Sequence, residues 1–189
     1  MNTKILIVFA LFAFSLTSFV SIDESSYKID VDNSVLKWTG FHLGKSYEHN
    51  GNIKLKSGNL VVESGKITGG DFVIDMTSIT NNDLTGAKNT KLVDHLKSDD
   101  FFNTEKYPEA RLVISKIEGA KATGEVTIRG ITAPISFEFS TEETSDNKIV
   151  ATATLSIDRT KHEVSYGWTV ENAMLSNEFR IDVKLVATK

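Results

Sequence analysis

Apart from one interruption, the chain from Tyr27 onward exchanges apolar and polar side chains at every second position, and this alternation leaves room for little but antiparallel sheet. Val35, Lys37 and Thr39 alternate against Leu36, Trp38 and Gly40. Asn52-Ile53-Lys54-Leu55-Lys56 repeats the pattern before Ser57-Gly58-Asn59, which reads as a turn. Leu60 to Val62 lead to a second turn at Glu63-Ser64-Gly65-Lys66, and Phe72-Val73-Ile74-Asp75-Met76 is again strand-like. In the second half, Leu112 and Ile114 share a face, as do Val126 and Ile128 before Gly130 turns the chain. Ile135, Phe137 and Phe139 oppose Ser136 and Glu138, while Ala151, Ala153, Leu155 and Ile157 line one side of the next segment. Phe179, Ile181, Val183 and Leu185 alternate with Arg180, Asp182 and Lys184, the clearest half-buried strand in the chain.

The interruption lies between Ser78 and Tyr107. Asn81-Asn82-Asp83 is a polar cluster suited to capping a helix, and Leu92, Val93 and Leu96 have the spacing of a short one. Asp99-Asp100 precedes Phe101-Phe102, and Pro108 marks the start of the next strand. Eight to ten strands around a single helical interruption close most simply as an all-β antiparallel barrel, because closure removes the edges that invite aggregation. About eight strands can enclose one small ligand. Small inward residues such as Ala151 and Ala153 leave space, and Phe137, Phe139 and Phe179 give an apolar bore. A sandwich with a solid core is the alternative. A transmembrane barrel fits less well, since the outward positions carry Lys, Glu and Asp.

The first twenty residues stand apart from this pattern. Lys4 supplies a short positive region, Ile5 to Leu16 an apolar run, and Thr17-Ser18 small polar residues suited to cleavage. The expected organisation is a signal peptide over 1–20, a flexible mature N-terminus over 21–26 and a barrel domain over 27–189, delivered to the periplasm. The run is short for a membrane span, and a retained anchor is the alternative. The 189 residues contain no cysteine, so an exported domain of this kind holds together by packing alone, without disulfides, thiolate metal sites or thiol chemistry. A net charge of -4 lacks the basic footprint of a nucleic-acid binder.

The chemistry-bearing residues are few. His42, His49, His95 and His162 are the only histidines, and none has helical metal-site spacing; His42 and His49 could meet across a hairpin, and His95, in the helical segment beside Asp94, either faces solvent or covers the barrel mouth. At Asp99 and Asp100, one carboxylate reads as capping or anchoring the turn while Phe101 and Phe102 plug the core, rather than the two forming an acid–base pair. Asp158 and Arg159 suggest a bidentate pair fixing a turn. Phosphate binding by Arg159 or Arg129 is the alternative. No Gly-x-Ser-x-Gly elbow and no glycine-rich phosphate loop occurs.

Several segments resemble the YceI-like family, the polyisoprenoid-binding, lipocalin-like domain. They are Val35-Leu36-Lys37-Trp38, His49-Asn50-Gly51, Leu96-Lys97-Ser98-Asp99-Asp100-Phe101-Phe102 followed by Tyr107-Pro108, Gly124, Ile128-Arg129-Gly130-Ile131-Thr132, and Ile157-Asp158-Arg159-Thr160. Together they cover roughly 27–189. Many relatives carry a histidine before the serine in the segment that here reads Val31-Asp32-Asn33-Ser34, so Asn33 is a departure. The resemblance implies an extended barrel with a helix near one end, a long apolar cavity for an isoprenoid lipid or isoprenoid quinone, and no catalytic chemistry or required cofactor. On that reading the wall of the cavity falls to Trp38, Phe72, Phe101, Phe102, Phe137, Phe139, Ala153, Leu155, Trp168, Phe179 and Ile181, with Asp100, Pro108, Gly130, Asp158 and Arg159 in structural roles. A transient membrane contact and a homodimer are open as further partners. A solid barrel acting as a scaffold and an uncharacterised lipid-modifying enzyme are the competing functions.

Overall fold

The computed structural model describes residues 24–45, 47–166 and 169–189. The expected signal peptide over 1–20 and residues 21–23 lie outside these. Among the described residues nine strands form one antiparallel sheet: β1 (Glu24–Ile29), β2 (Val35–His42), β3 (Glu48–Glu63), β4 (Lys66–Asp75), β5 (Glu109–Glu118), β6 (Lys121–Ile128), β7 (Ile131–Thr144), β8 (Lys148–Asp158) and β9 (Leu175–Thr188). Helix α1 (Gly86–Lys97) interrupts β4 and β5, and α2 (Thr169–Met174) lies between β8 and β9.

The sheet closes with eight positions rather than nine. Running from β3 through β4 to β9, each strand pairs with the next, and β2 joins β9 back to β3. β1 and β2 share that last position. β2 pairs with the first half of β3, up to Ile53, while β1 pairs with Asn59–Glu63; on the other side β9 pairs with β2 up to Lys184 and with β1 at Ala187 and Thr188. The turn between them is tied to β9: Asp30 N donates to Val186 O at 2.8 Å, and Ser34 Oγ accepts from Val186 N at 3.0 Å. Asp30 also accepts from the backbone and side chain of Asn33, which stands in this exposed turn on the outside of the barrel.

Three expectations are corrected. Glu24–Ser26 are not a loose tail; they pair with Val61–Glu63 at the edge of β1. Ser57-Gly58-Asn59 is not a turn, because β3 runs through it as a sixteen-residue strand with a register shift between Leu55 and Ser57. The polar Ser-Gly-Asn composition there serves a bulge and a close approach: a Cβ on Gly58 would sit 2.9 Å from the Phe72 ring. The third correction is α2, a second helical segment where the alternation had suggested only one.

The two ends of the barrel differ. At one end Tyr27, Ile29, Leu60, Val62, Ile149 and Ala187 fill the interior, with Ile149 and Ala187 essentially sealed from solvent. Tyr27 Oη donates to Asp146 O at 3.1 Å, fastening β1 to the β7–β8 loop. The helices and the long connections gather at the other end. The outer face carries exposed ion pairs, among them Arg111–Asp71, Lys56–Glu109 and Lys184–Glu142, each worth little in stability but fit for water.

Gly51 is the sharpest packing constraint in the sheet. It pairs with Trp38, whose indole N–H crosses over it to donate to Thr80 O at 2.9 Å. A Cβ at position 51 would stand 1.8 Å from Thr80 O and 2.6 Å from Trp38 Nε1. The backbone carbonyl cannot yield, so Gly51→Ala is expected to expel the indole. Urea unfolding should show a loss of about 3 kcal/mol, with a change in tryptophan fluorescence of the folded protein.

Candidate functional site: an apolar cavity under a helical cap

The period-two pattern puts alternate side chains of every strand inside the barrel, and these do not meet in the middle. They enclose a cavity of about 580 Å³, within the range of small-molecule sites. Phe137 and Phe139 on β7, Ala153 on β8, and Phe179 and Ile181 on β9 line it; all five are only half-buried although they point inward, because the cavity itself leaves them accessible. Phe72 and Leu155 are buried deeper in the same wall. The barrel is hollow, so the solid-core alternative does not describe it. Trp38 also lines the cavity, held by its bond to Thr80. Trp168 lies outside the described residues.

Helix α1 covers the mouth. Leu92, His95 and Leu96, spaced by three and four, lie on the helix face that lines the cavity. The turn after α1 brings Phe101 and Phe102 onto the same wall. Phe101 meets Phe102 edge-on at 4.8 Å between ring centroids, and Phe102 meets Phe179 of β9 at 6.2 Å. The carboxylates of Asp99 and Asp100 do not anchor this turn; both are exposed. Ser98 does so instead, its carbonyl accepting from Phe101 N at 3.1 Å and Asn103 N at 2.7 Å. Nor does the Asn81–Asp83 cluster cap α1, whose N-cap position is Thr85. Asp83 accepts from Asn50 N at 2.9 Å and meets His49 Nδ1 at 2.7 Å, and Asn81 donates to Asn50 O at 2.9 Å, so the cluster straps the approach to α1 onto β3. Burial alone would raise the Asp83 pKa, but the hydrogen bonds from Asn50, His49 and Asn81 prevail and hold it below the ordinary aspartate value.

Arg159 is the centre of the cap, and Asp158 is not its partner. Asp158 accepts from Thr160 N at 3.0 Å and from Thr160 Oγ1 at 2.6 Å, capping a short 3₁₀ turn. The Arg159 side chain turns inward, leaving the residue 4% exposed, and the guanidinium spends its N–H groups on protein oxygens. Nε donates to Ser176 O at 2.9 Å; Nη1 donates to Val164 O at 2.9 Å and Asn172 Oδ1 at 2.8 Å; Nη2 reaches Asn172 O at 3.2 Å and Leu175 O at 3.3 Å. It thereby ties Val164, Asn172, Leu175 and Ser176 together between the end of β8 and the start of β9. Arg129 and Gly130 both have positive φ, 53° and 75°, as a two-residue hairpin between β6 and β7 requires. Arg129 Nη1 donates to Phe101 O at 2.6 Å and Glu163 O at 3.1 Å, joining the two cap segments, and Tyr107 packs against Gly130. Pro108 leads into β5, its carbonyl accepting from Met76 N at 2.9 Å.

His42 and His49 do approach across the β2–β3 hairpin, their ring centroids 6.4 Å apart with Tyr47 between. Among the described residues no group of three His, Asp or Glu side chains is placed to hold a metal ion. Of the two places the sequence leaves open for His95, solvent or the barrel mouth, the structure selects the mouth, on the α1 face that lines the cavity. Sequence reasoning missed a repeated device: Ile74-Asp75-Met76-Thr77 closes β4 as Ile157-Asp158-Arg159-Thr160 closes β8. Asp75 Oδ1 accepts from Thr77 N at 2.9 Å, as Asp158 does from Thr160.

The geometry has counterparts. The crystal structure of Burkholderia cenocepacia BcnA superposes with a TM-score of 0.69 at 21% identity, covering 85% of this chain and 99% of that one. A polyisoprenoid binding domain from Saccharophagus degradans gives a TM-score of 0.62 at 16% identity over 86% and 97% of the two chains. In sequence, a UPF0312 protein of Pseudomonas putida (strain W619) is 31% identical over 123 residues, and this match spans 60% of each chain. Protein YceI of an Escherichia coli strain (O157:H7) is 31% identical over 138 residues, 70% of this chain and 68% of its own. The profile of the YceI-like domain matches residues 27–187, from the first buried ring of β1 to the last buried residue of β9. The chain therefore belongs to the YceI-like domain family.

Proposed function

We propose that the protein is an exported, non-catalytic carrier or reservoir that holds the isoprenoid tail of a polyprenyl lipid or quinone inside its barrel. The observation that carries this reading is the cavity of about 580 Å³, walled by inward Phe, Leu, Ile and Ala and blocked at one end. Each CH₂ moved from water into such a wall contributes about 0.8 kcal/mol, so a tail of a few isoprene units binds without any reacting group. The polyisoprenoid binding domain from Saccharophagus degradans, named for that ligand class, has the same fold. The apolar leader over 1–20 supports delivery to the periplasm. Leu43, Tyr47 and Met174 stand exposed on the segments that flank the mouth, where a carrier would touch a membrane to collect its cargo.

Solvent extraction of the purified protein, followed by mass spectrometry, tests the reading. A stoichiometric apolar lipid with repeating isoprene mass is the expected result. An extract free of lipid, together with no uptake of added polyprenol, would overturn it.

A further inference from the structure

We infer that the head group of the cargo is uncharged and oxygen-bearing, a hydroxyl or a carbonyl, and that it seats beneath α1 on His95. This rests on the carrier reading above and narrows it to polyprenols and quinones rather than polyprenyl phosphates.

Two observations lead there. First, His95 Nε2 is buried and has no hydrogen-bond partner among the described residues. The imidazole is held between the rings of Tyr166, 4.2 Å away, and Phe101, 5.5 Å away, and His95 forms part of the cavity wall. A buried polar atom left unpaired carries a desolvation penalty that an incoming oxygen relieves. A neutral imidazole serves either kind: its N–H donates to a carbonyl, or its lone pair accepts from a hydroxyl. Burial lowers the His95 pKa below the ordinary histidine value, with the Asp100 carboxylate opposing, so the ring is neutral near pH 7.

Second, the cations that a phosphate would need are already engaged. Among the described lining residues the only Lys or Arg is Arg159, and the five N–H groups of its guanidinium point to protein oxygens. A phosphate could reach it only by stripping it from carbonyls that would then be buried unpaired. Glu178, also on the wall, adds negative charge. Arg129 gives its Nη1 to the carbonyls of Phe101 and Glu163. A hydroxyl or carbonyl needs none of these groups.

The test compares two probes with the same tail, farnesol and farnesyl phosphate, by titration calorimetry on delipidated protein. The wild type should bind farnesol about tenfold or more tightly than farnesyl phosphate. His95→Leu should weaken farnesol about five- to tenfold and leave farnesyl phosphate unchanged, while His95→Gln keeps most of the farnesol affinity. Leucine replaces a nitrogen that is unpaired in the fold, so the variant is expected to stay folded. Farnesyl phosphate binding the wild type as well as or better than farnesol would overturn the head-group inference while leaving the carrier intact. So would farnesol affinity indifferent to His95→Leu. Failure of both probes to bind the wild type would bring down the carrier reading itself.

Discussion

Arg159→Met is expected to lower the stability of the lipid-free protein by roughly 3–5 kcal/mol, the range seen when one partner of a buried charged network is removed. The reasoning follows the oxygens rather than the arginine. Val164 O, Leu175 O, Asn172 O and Ser176 O all take bonds from the guanidinium, and methionine leaves them facing an apolar interior without a donor. Each such group costs on the order of 1–3 kcal/mol if nothing relaxes, and local rearrangement recovers part of that. For a domain of this size the loss corresponds to a fall in Tm on the order of 10 °C, measurable by circular dichroism. Arg159→Lys should recover little, since a single ammonium cannot span acceptors on both sides of the β8–β9 connection. Asp158→Asn is the contrasting variant. Its carboxylate caps Thr160 and does not hold the guanidinium, so the loss should stay near 1 kcal/mol. If Asp158→Asn proves as damaging as Arg159→Met, the two residues act as a pair and the clamp described above is wrong.

Arg159 also shows where the sequence was legible and where it was not. Alternation exposed the inner face of nearly every strand, because the side-chain period of a strand is fixed by its backbone: Phe137, Phe139, Ala153, Phe179 and Ile181 could be placed inside from spacing alone. The short helix was equally visible in Leu92 and Leu96. What spacing does not encode is the partner of a polar side chain across the fold. Asp158 and Arg159 are neighbours in sequence, and adjacency suggests a pair. At the end of β8 the chain tightens into a 3₁₀ turn, which sends one side chain outward to its own backbone and the other into the cap. The carboxylates at Asp99 and Asp100 misled for a similar reason, as the turn they occupy is closed by the carbonyl of Ser98. The split of one barrel position between β1 and β2 was likewise hidden, because alternation does not encode the backbone bonds by which Val186 ties Asp30 and Ser34 to β9.

The inward placement of Ala153 gives the most direct functional prediction. Its strand neighbours are Phe139 on β7 and Val183 on β9, and all three lie on the cavity wall. In a solid core, Ala→Phe would overpack and cost about 1–3 kcal/mol. Here the added ring projects into the cavity, so Ala153→Phe should leave the unfolding free energy of the lipid-free protein within about 1 kcal/mol of wild type, or raise it by supplying contacts to a wall that lacks them. The effect on cargo should be far larger. If the ring excludes only two or three methylene units of a tail, about 2 kcal/mol of burial is lost, a weakening of thirtyfold or more. Extracts of the variant should then contain little lipid at equal protein. Thr154→Phe is the matched control, one residue along the same strand but exposed on the outer face, where Thr154 Oγ1 donates to Asp182 Oδ1 at 2.9 Å. It should keep its lipid while losing some stability. Equal lipid in the two variants would mean that the tail does not pass between β7 and β9; loss of lipid in both would point to damage to the sheet rather than to a blocked bore. Only the combination of a stable Ala153→Phe barrel, an empty extract and a loaded Thr154→Phe control follows from a tail threaded through the hollow interior.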